Sequence, residues 1–107
     1  MNDFIVVLTS TDNKSEAEKI TQALVEKRLA ASAKIMGPAS SIYWWKGKIE
    51  RASEWQCIIK TRRSHFDAVE AQIRQMHSYE VAEIIALPAI DASAEYLAWW
   101  SRQTEGE

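Results

Sequence analysis

The sequence predicts an α+β fold with strands and helices in the order β-α-β-β-α-β, a long central hairpin and a short C-terminal helix. Three observations predict it. Two amphipathic helical stretches are each flanked by apolar or alternating segments of strand type. The middle two strand segments, Ala30 to Trp45 and Lys48 to Thr61, are separated only by Lys46-Gly47, a two-residue turn with glycine where positive φ is tolerated. Glycine (3) and proline (2) are scarce among 107 residues, so few turns are coded and the elements must be long.

Phe4 to Leu8 is continuous, apolar and rich in β-branched residues, the mark of a central strand, and Thr9 to Asp12 is expected to end it. Asn13 followed by Glu16 reads as a helix N-cap of capping-box type. Ala17, Ile20, Leu24 and Val25 then form the apolar stripe of a helix that ends near Leu29. Ala31, Ala33 and Ile35 alternate with Ser32, Lys34 and Met36, and Gly37-Pro38 interrupts that strand as a bulge would. Trp55, Cys57 and Ile59 oppose Gln56, Ile58 and Lys60 in the next strand. Ser64-x-x-Asp67 predicts a cap, and Phe66, Val69, Ile73 and Met76 the stripe of a second helix. Glu83 to Leu87 reads as a strand that Pro88 places at a sheet edge. Ala94 to Trp100 is a short last helix, and Gln103 to Glu107 a frayed tail. This order is the ferredoxin-like split βαβ arrangement, with both main helices on one face of an antiparallel sheet.

One domain is all that 107 residues support. The formal net charge of −2 gives no basic excess for phosphate backbones, so no nucleic-acid partner is expected. No run approaches the ~20 apolar residues of a membrane helix, and the apolar run near the start is too short for a signal segment. The expected compartment is the cytoplasm and no membrane partner is expected. The single cysteine, Cys57, excludes an internal disulfide and a thiolate zinc cage.

The hairpin is too long for its domain. Sixteen extended residues span roughly 50 Å, against a radius of gyration of about 13 Å for a chain of this size. Its distal half carries Ile42, Tyr43, Trp44, Trp45 and Ile49, with Trp55 further along the return strand. Such a ribbon is stable when docked on another subunit, the expectation adopted here; otherwise it must curl over its own sheet.

Four colinear stretches resemble the CutA divalent-cation-tolerance family: Lys27 to Ala31, Ser41 to Glu50, Glu54 to Thr61, and Glu83 to Pro88 with Tyr96 to Trp99. The Y-x-W-x-G-K-I-E hairpin followed by E-W-Q-x-I-I-K-T is the specific part. The resemblance implies a ferredoxin-like homotrimer with strands pairing between subunits, a role in tolerance of copper and other divalent cations, and a fold similar to the P-II signalling proteins. It gives no enzyme activity. The chain departs from the family pattern at Thr9, Ser32 and Gln72, where members carry cysteines. It also departs in His77-Ser78-Tyr79-Glu80-Val81-Ala82-Glu83, where two prolines are lost. A thiolate copper site at those positions cannot form.

His77 and Glu83 are the expected metal ligands, because imidazole and carboxylate suit Cu(II) and other divalent ions. The alternative is that His77 caps the second helix and Glu83 pairs with a lysine. Tyr79 and Lys60 are assigned to a ligand cleft, Lys60 with the alternative of snorkelling to the sheet edge. Tyr43, Trp44, Trp45 and Trp55 are assigned to the subunit interface. His65 is expected to face solvent, Cys57 to be a buried small hydrophobe, Met36 and Met76 to be core or interface filler, and Arg62-Arg63 to form a solvated turn. The implied cofactor is a divalent cation, Cu(II) among them, with no organic cofactor. The implied partners are two further copies of the chain and an unidentified protein or small molecule. Two readings compete: a trimer that binds divalent ions near subunit boundaries, and a P-II-like regulatory or scaffolding trimer whose clefts take a small anion or a protein. No phosphate loop, nucleophile elbow or paired-carboxylate spacing supports an enzyme.

Overall fold

The computed structural model describes residues 3–105. Strand β1 spans Phe4–Thr11, helix α1 Lys14–Glu26, strand β2 Ala30–Trp45 and strand β3 Lys48–Arg62. After a 3-10 turn at Arg63–His65 come helix α2, Phe66–Met76, strand β4, Ile85–Pro88, and helix α3, Ala94–Gln103. The sheet has the order β2-β3-β1-β4 and its paired strands are antiparallel. This is the expected ferredoxin-like arrangement.

Strand alternation builds the core on one face. Ile5, Val7, Cys57 and Ile59 pack against Ala17, Ile20 and Leu24 of α1 and Val69 and Ile73 of α2. The opposite face carries Val6, Leu8, Ile58 and Lys60, with α3 docked at one end of it. There Trp100 is buried, meets Phe4 edge-on at 5.2 Å and donates its indole N–H to the Thr61 carbonyl at 3.1 Å.

The hairpin projects: the molecule measures 44 × 25 × 22 Å, and Ile42, Tyr43, Trp44 and Ile49 are exposed. Against the alternative in which the ribbon curls over its own sheet, these side chains stay exposed, and the tip meets its own chain at the 77–84 segment, where Lys46 lies 3.7 Å from Glu80. Lys46 and Gly47 both take positive φ, 50° and 81°, the pattern of a type I′ turn that matches strand twist. The bulge falls where Gly37-Pro38 predicted it, between Met36 and Ala39. Glycine is required there because a Cβ on Gly37 would lie 2.7 Å from Trp55 Cε3.

Several boundaries differ from expectation, each for a local reason. β1 continues through Thr9, Ser10 and Thr11 because β3 offers Cys57, Gln56 and Trp55 as ladder partners. α1 stops at Glu26, since Arg28 adopts φ 60° and the Arg28 and Leu29 amides bond the Val25 and Leu24 carbonyls. That is a Schellman cap with arginine in glycine's usual place. Asn13 does cap α1, accepting the Glu16 amide at 3.0 Å, but the Glu16 carboxylate turns to Thr11 and Ser78 instead of closing the box. Ser64 caps nothing; His65 precedes α2 with no side-chain cap, and its Nδ1 lies 3.3 Å from the Leu29 carbonyl. β4 begins at Ile85, which leaves Glu83 in the preceding loop.

The chain end is also corrected. α3 runs to Gln103 and Thr104 is buried, while residues 106–107 lie outside the described residues. Arg62 is no solvated turn. Its guanidinium binds Asp3, Ser101 and Thr104 and lies over Phe4, which ties the two ends of the described chain together.

Candidate functional site

The segment between α2 and β4, residues 77–84, is held by side chains rather than by regular structure. His77 is the C-cap residue of α2, and its imidazole is only 1% exposed. Nε2 donates to the Ser10 carbonyl at 2.7 Å and Nδ1 accepts the Tyr79 amide at 3.0 Å. These two bonds fix the neutral tautomer with its proton on Nε2. The approach of Nδ1 to Glu16 Oε2, 3.6 Å, is therefore not an ion pair. Both nitrogens are engaged, so an ion at His77 would have to break one bond. Glu16 meanwhile accepts the Thr11 hydroxyl at 2.7 Å and the Ser78 amide and hydroxyl at 3.2 and 3.1 Å. Burial works to raise its pKa, but these donors outweigh it and hold the carboxyl below its usual value.

Tyr79 reaches across to β3. Its hydroxyl donates to Glu54 Oε2 at 2.7 Å, and Ser41 donates to Glu54 Oε1 at 2.6 Å. Glu54 is 7% exposed, and among the described residues its carboxylate meets the Ser41 and Tyr79 hydroxyls alone. Burial, then the hydrogen bond to Glu54, pushes the Tyr79 phenol far above its usual value. The Ser10 hydroxyl donates to Glu83 Oε1 at 3.2 Å, so Ser10 serves His77 through its carbonyl and Glu83 through its side chain. Glu83 takes this hydroxyl rather than a lysine.

Together these groups wall a cleft of about 560 Å³ between the 77–84 segment and the hairpin. Asp12, Glu54, Glu80 and Glu83 line it, with Tyr43, Trp44, Trp45 and Tyr79 as aromatic walls. Lys46 pairs with Glu80 at 3.7 Å and lies 5.5 Å from the Trp45 ring centre. The cleft thus concentrates negative charge beside aromatic faces, a setting for cations. Among the described residues no three His, Cys, Asp or Glu side chains converge to hold a metal ion within one chain.

The expected site residues fall into separate groups. Tyr79 and Glu83 line the cleft, and His77 supports its wall. Lys60 is not brought there: it sits six residues from Glu54 along β3, roughly 20 Å away, and lies 6.0 Å from the Tyr96 ring. Tyr43, Trp44 and Trp45 edge the cleft, with Trp44 71% exposed. Trp55 is half-buried within its own chain, packed on the core and beneath Lys14 at 5.1 Å. Cys57 is fully buried, and burial raises its thiol to about 11, which makes it inert. Sequence reasoning missed Asp12, Glu54 and Glu80 at the cleft and Glu16 behind it. The signal for Glu54 was its place at the head of the E-W-Q-x-I-I-K-T stretch, a carboxylate within a paired strand.

Comparison with known proteins places the chain. The family model described as CutA1 divalent ion tolerance protein matches residues 5–103. The chain is 46% identical over 93 residues to Protein CutA of Mus musculus, covering 87% of this chain and 52% of the relative. It spans about half the length of the mouse and human relatives it matches. It is 39% identical over 105 residues to the Divalent-cation tolerance protein CutA of Archaeoglobus fulgidus, covering 98% of this chain and 100% of the relative. Among solved structures, the periplasmic divalent cation tolerance protein CutA from Archaeoglobus fulgidus superposes with a TM-score of 0.92 at 36% identity, covering 95% and 99% of the two chains. CutA1 from Oryza sativa gives 0.93 at 34% identity, covering 98% and 96%. The chain belongs to the CutA1 divalent-ion-tolerance family.

Proposed function

We propose that the protein is a non-catalytic, homotrimeric divalent-cation tolerance protein of the cytoplasm that takes divalent ions, Cu(II) among them, weakly in the acidic cleft where subunits meet. The observation that carries the reading is the cleft itself, with four carboxylates on its walls and one lysine paired to them. Glu83 is the proposed ligand. His77 supports the segment that bears it. The incomplete ligand set of one chain accords with a site finished by a neighbouring copy. Exposed Ile42, Tyr43, Trp44 and Ile49 on the projecting ribbon support the assembly, because such an apolar surface is stable when covered. A free, buried Cys57 fits a reducing compartment. The charge of the cleft speaks against the small anion that a P-II-like reading requires.

Native mass spectrometry of metal-stripped protein tests the proposal. Three chains of 12.2 kDa each are expected in one particle, gaining Cu(II) or Zn(II) that Glu83→Gln loses. A monomer would overturn the assembly. A trimer that takes up no specific ion would overturn the metal reading.

A further inference from the structure

One nitrogen of His77 has two claimants. Nδ1 accepts the Tyr79 amide at 3.0 Å, while Oε2 of Glu16 on α1 stands 3.6 Å from the same atom. Nε2 is committed to the Ser10 carbonyl of β1 at 2.7 Å. The ring is 1% exposed, so water cannot replace a lost partner. A neutral imidazole satisfies the amide and keeps Glu16 at a distance. An imidazolium does the reverse, because both its nitrogens are donors. With a proton on Nδ1, two N–H groups face each other and the Tyr79 amide must leave.

The surroundings decide where the charged ring turns. Glu16 is the charged group beside it, and among the described residues no lysine or arginine pairs with that carboxylate; Lys19 borders the same hollow without pairing. On α2, Arg74 is engaged with Glu70. Tyr79 meets the imidazole edge-on, 4.8 Å between centroids, and Asp12 acts on Tyr79. Glu83 reaches the Ser10 hydroxyl and Glu54 the Tyr79 hydroxyl, neither of them a ring nitrogen. Glu16 Oε2 already holds the Thr11 hydroxyl and the amide and hydroxyl of Ser78. An imidazolium N–H arriving there competes with Ser78 for that oxygen. One proton thus loosens two successive residues of the segment after α2.

We propose that His77 and Glu16 form a proton-operated latch. Uptake of a solvent proton at Nδ1 moves the imidazole from the Tyr79 amide to the Glu16 carboxylate and releases the segment that begins at Ser78 from β1 and α1. The latch goes beyond the cation reading and does not rest on it, since it works on the metal-free chain.

Nitrogen NMR of the full, metal-stripped chain between about pH 8 and pH 5, where imidazoles titrate, tests the latch. The His77 nitrogen shifts report tautomer and charge, and hydrogen exchange of the Tyr79 amide reports release. The neutral ring with its proton on Nε2 is expected at the alkaline end. As Nδ1 gains its proton, Tyr79 protection should fall about tenfold with the same midpoint, the loss of one hydrogen bond. Amides of β1 and β3 should stay protected. His65, the other of the two histidines, is the control: its protonation should leave the Tyr79 amide unmoved. In Glu16→Gln, folded by circular dichroism, the His77 ring should charge only at lower pH, having lost its opposite charge. Three results would each overturn the proposal: a His77 ring that stays neutral throughout, a Tyr79 amide still protected beside a charged ring, or protection lost across β1 and β3 at the same midpoint. A Glu16→Gln titration matching the parent would overturn it as well, and the parent titration decides alone where that variant does not fold.

Discussion

His77 donates to the Ser10 carbonyl at 2.7 Å, and so fastens the segment after α2 to the end of β1. The other ring nitrogen holds the Tyr79 amide at 3.0 Å. Replacing His77 with alanine leaves a carbonyl and an amide without partners and a gap where the imidazole was buried. A loss of about 2–4 kcal/mol is expected, from one or two orphaned polar groups plus the cavity. Urea unfolding at fixed protein concentration measures it, the concentration being held because assembly contributes to stability. A loss under about 1 kcal/mol would mean the segment is anchored elsewhere.

Glu16 makes that anchor sensitive to acid. Its folded-state pKa is held below the ordinary 4.5 because donors from Thr11 and Ser78 outweigh burial. A carboxylate depressed in the folded state contributes stability that is present above its unfolded pKa and is lost as pH falls through the folded value. Glu16→Gln should therefore be less stable than the parent at pH 7. The gap should close as pH falls through the depressed folded value, where the parent carboxyl also protonates. Thermal melts across pH 3–7 give the comparison; a gap independent of pH would assign the effect to shape, not charge.

Thr9 is buried in the core opposite Cys57, and its hydroxyl has no hydrogen-bond partner. Valine has nearly the same shape without the stranded oxygen. Thr9→Val should stabilise the protein by about 1 kcal/mol, read as a higher urea midpoint with unchanged slope. Destabilisation would show that the hydroxyl finds a partner in solution.

These predictions lie where the sequence was least legible. Alternation located β2 and β3, the Lys46-Gly47 turn set their register, and the 3.6-residue stripe of Phe66, Val69, Ile73 and Met76 located α2. Such patterns are local, so a sequence displays them. The continuation of β1 through Thr9, Ser10 and Thr11 was hidden because the backbone of these polar residues is paired by a strand some 45 residues later. Arg28 gave no sign of its left-handed backbone, since that position is usually glycine. The cleft was legible only in part. Tyr79 and Glu83 stand in a family segment, but Glu54, Asp12 and Glu80 become neighbours through the fold alone.

Gly37 ties the hairpin to the cleft. Its missing side chain lets the bulge lie against Trp55 and the Glu54 carbonyl, where a Cβ would approach to 2.7 and 2.8 Å. Gly37→Ala forces the backbone or the indole to move. Overpacking of this kind costs about 1–3 kcal/mol. The bulge should shift at Glu54, and cation affinity should fall with stability. Unaltered stability would mean that the ribbon accommodates the methyl group freely.

Tyr79 provides an alkaline counterpart to Glu16. Burial and the bond to Glu54 hold its phenol protonated well beyond the usual value of 10. A folded-state pKa raised above the unfolded one contributes stability that is complete below the unfolded value and is lost as pH rises past it. Tyr79→Phe strips Glu54 of one of its two hydroxyl donors. It should cost about 2 kcal/mol at pH 7, as hydrogen bonds to charged groups do. Above about pH 10 the parent should lose this advantage. Absorbance at the tyrosinate band should show the Tyr79 contribution, the difference between parent and variant, only as the protein unfolds. A contribution that titrates in the folded protein near pH 10 would break the link between Tyr79 and Glu54.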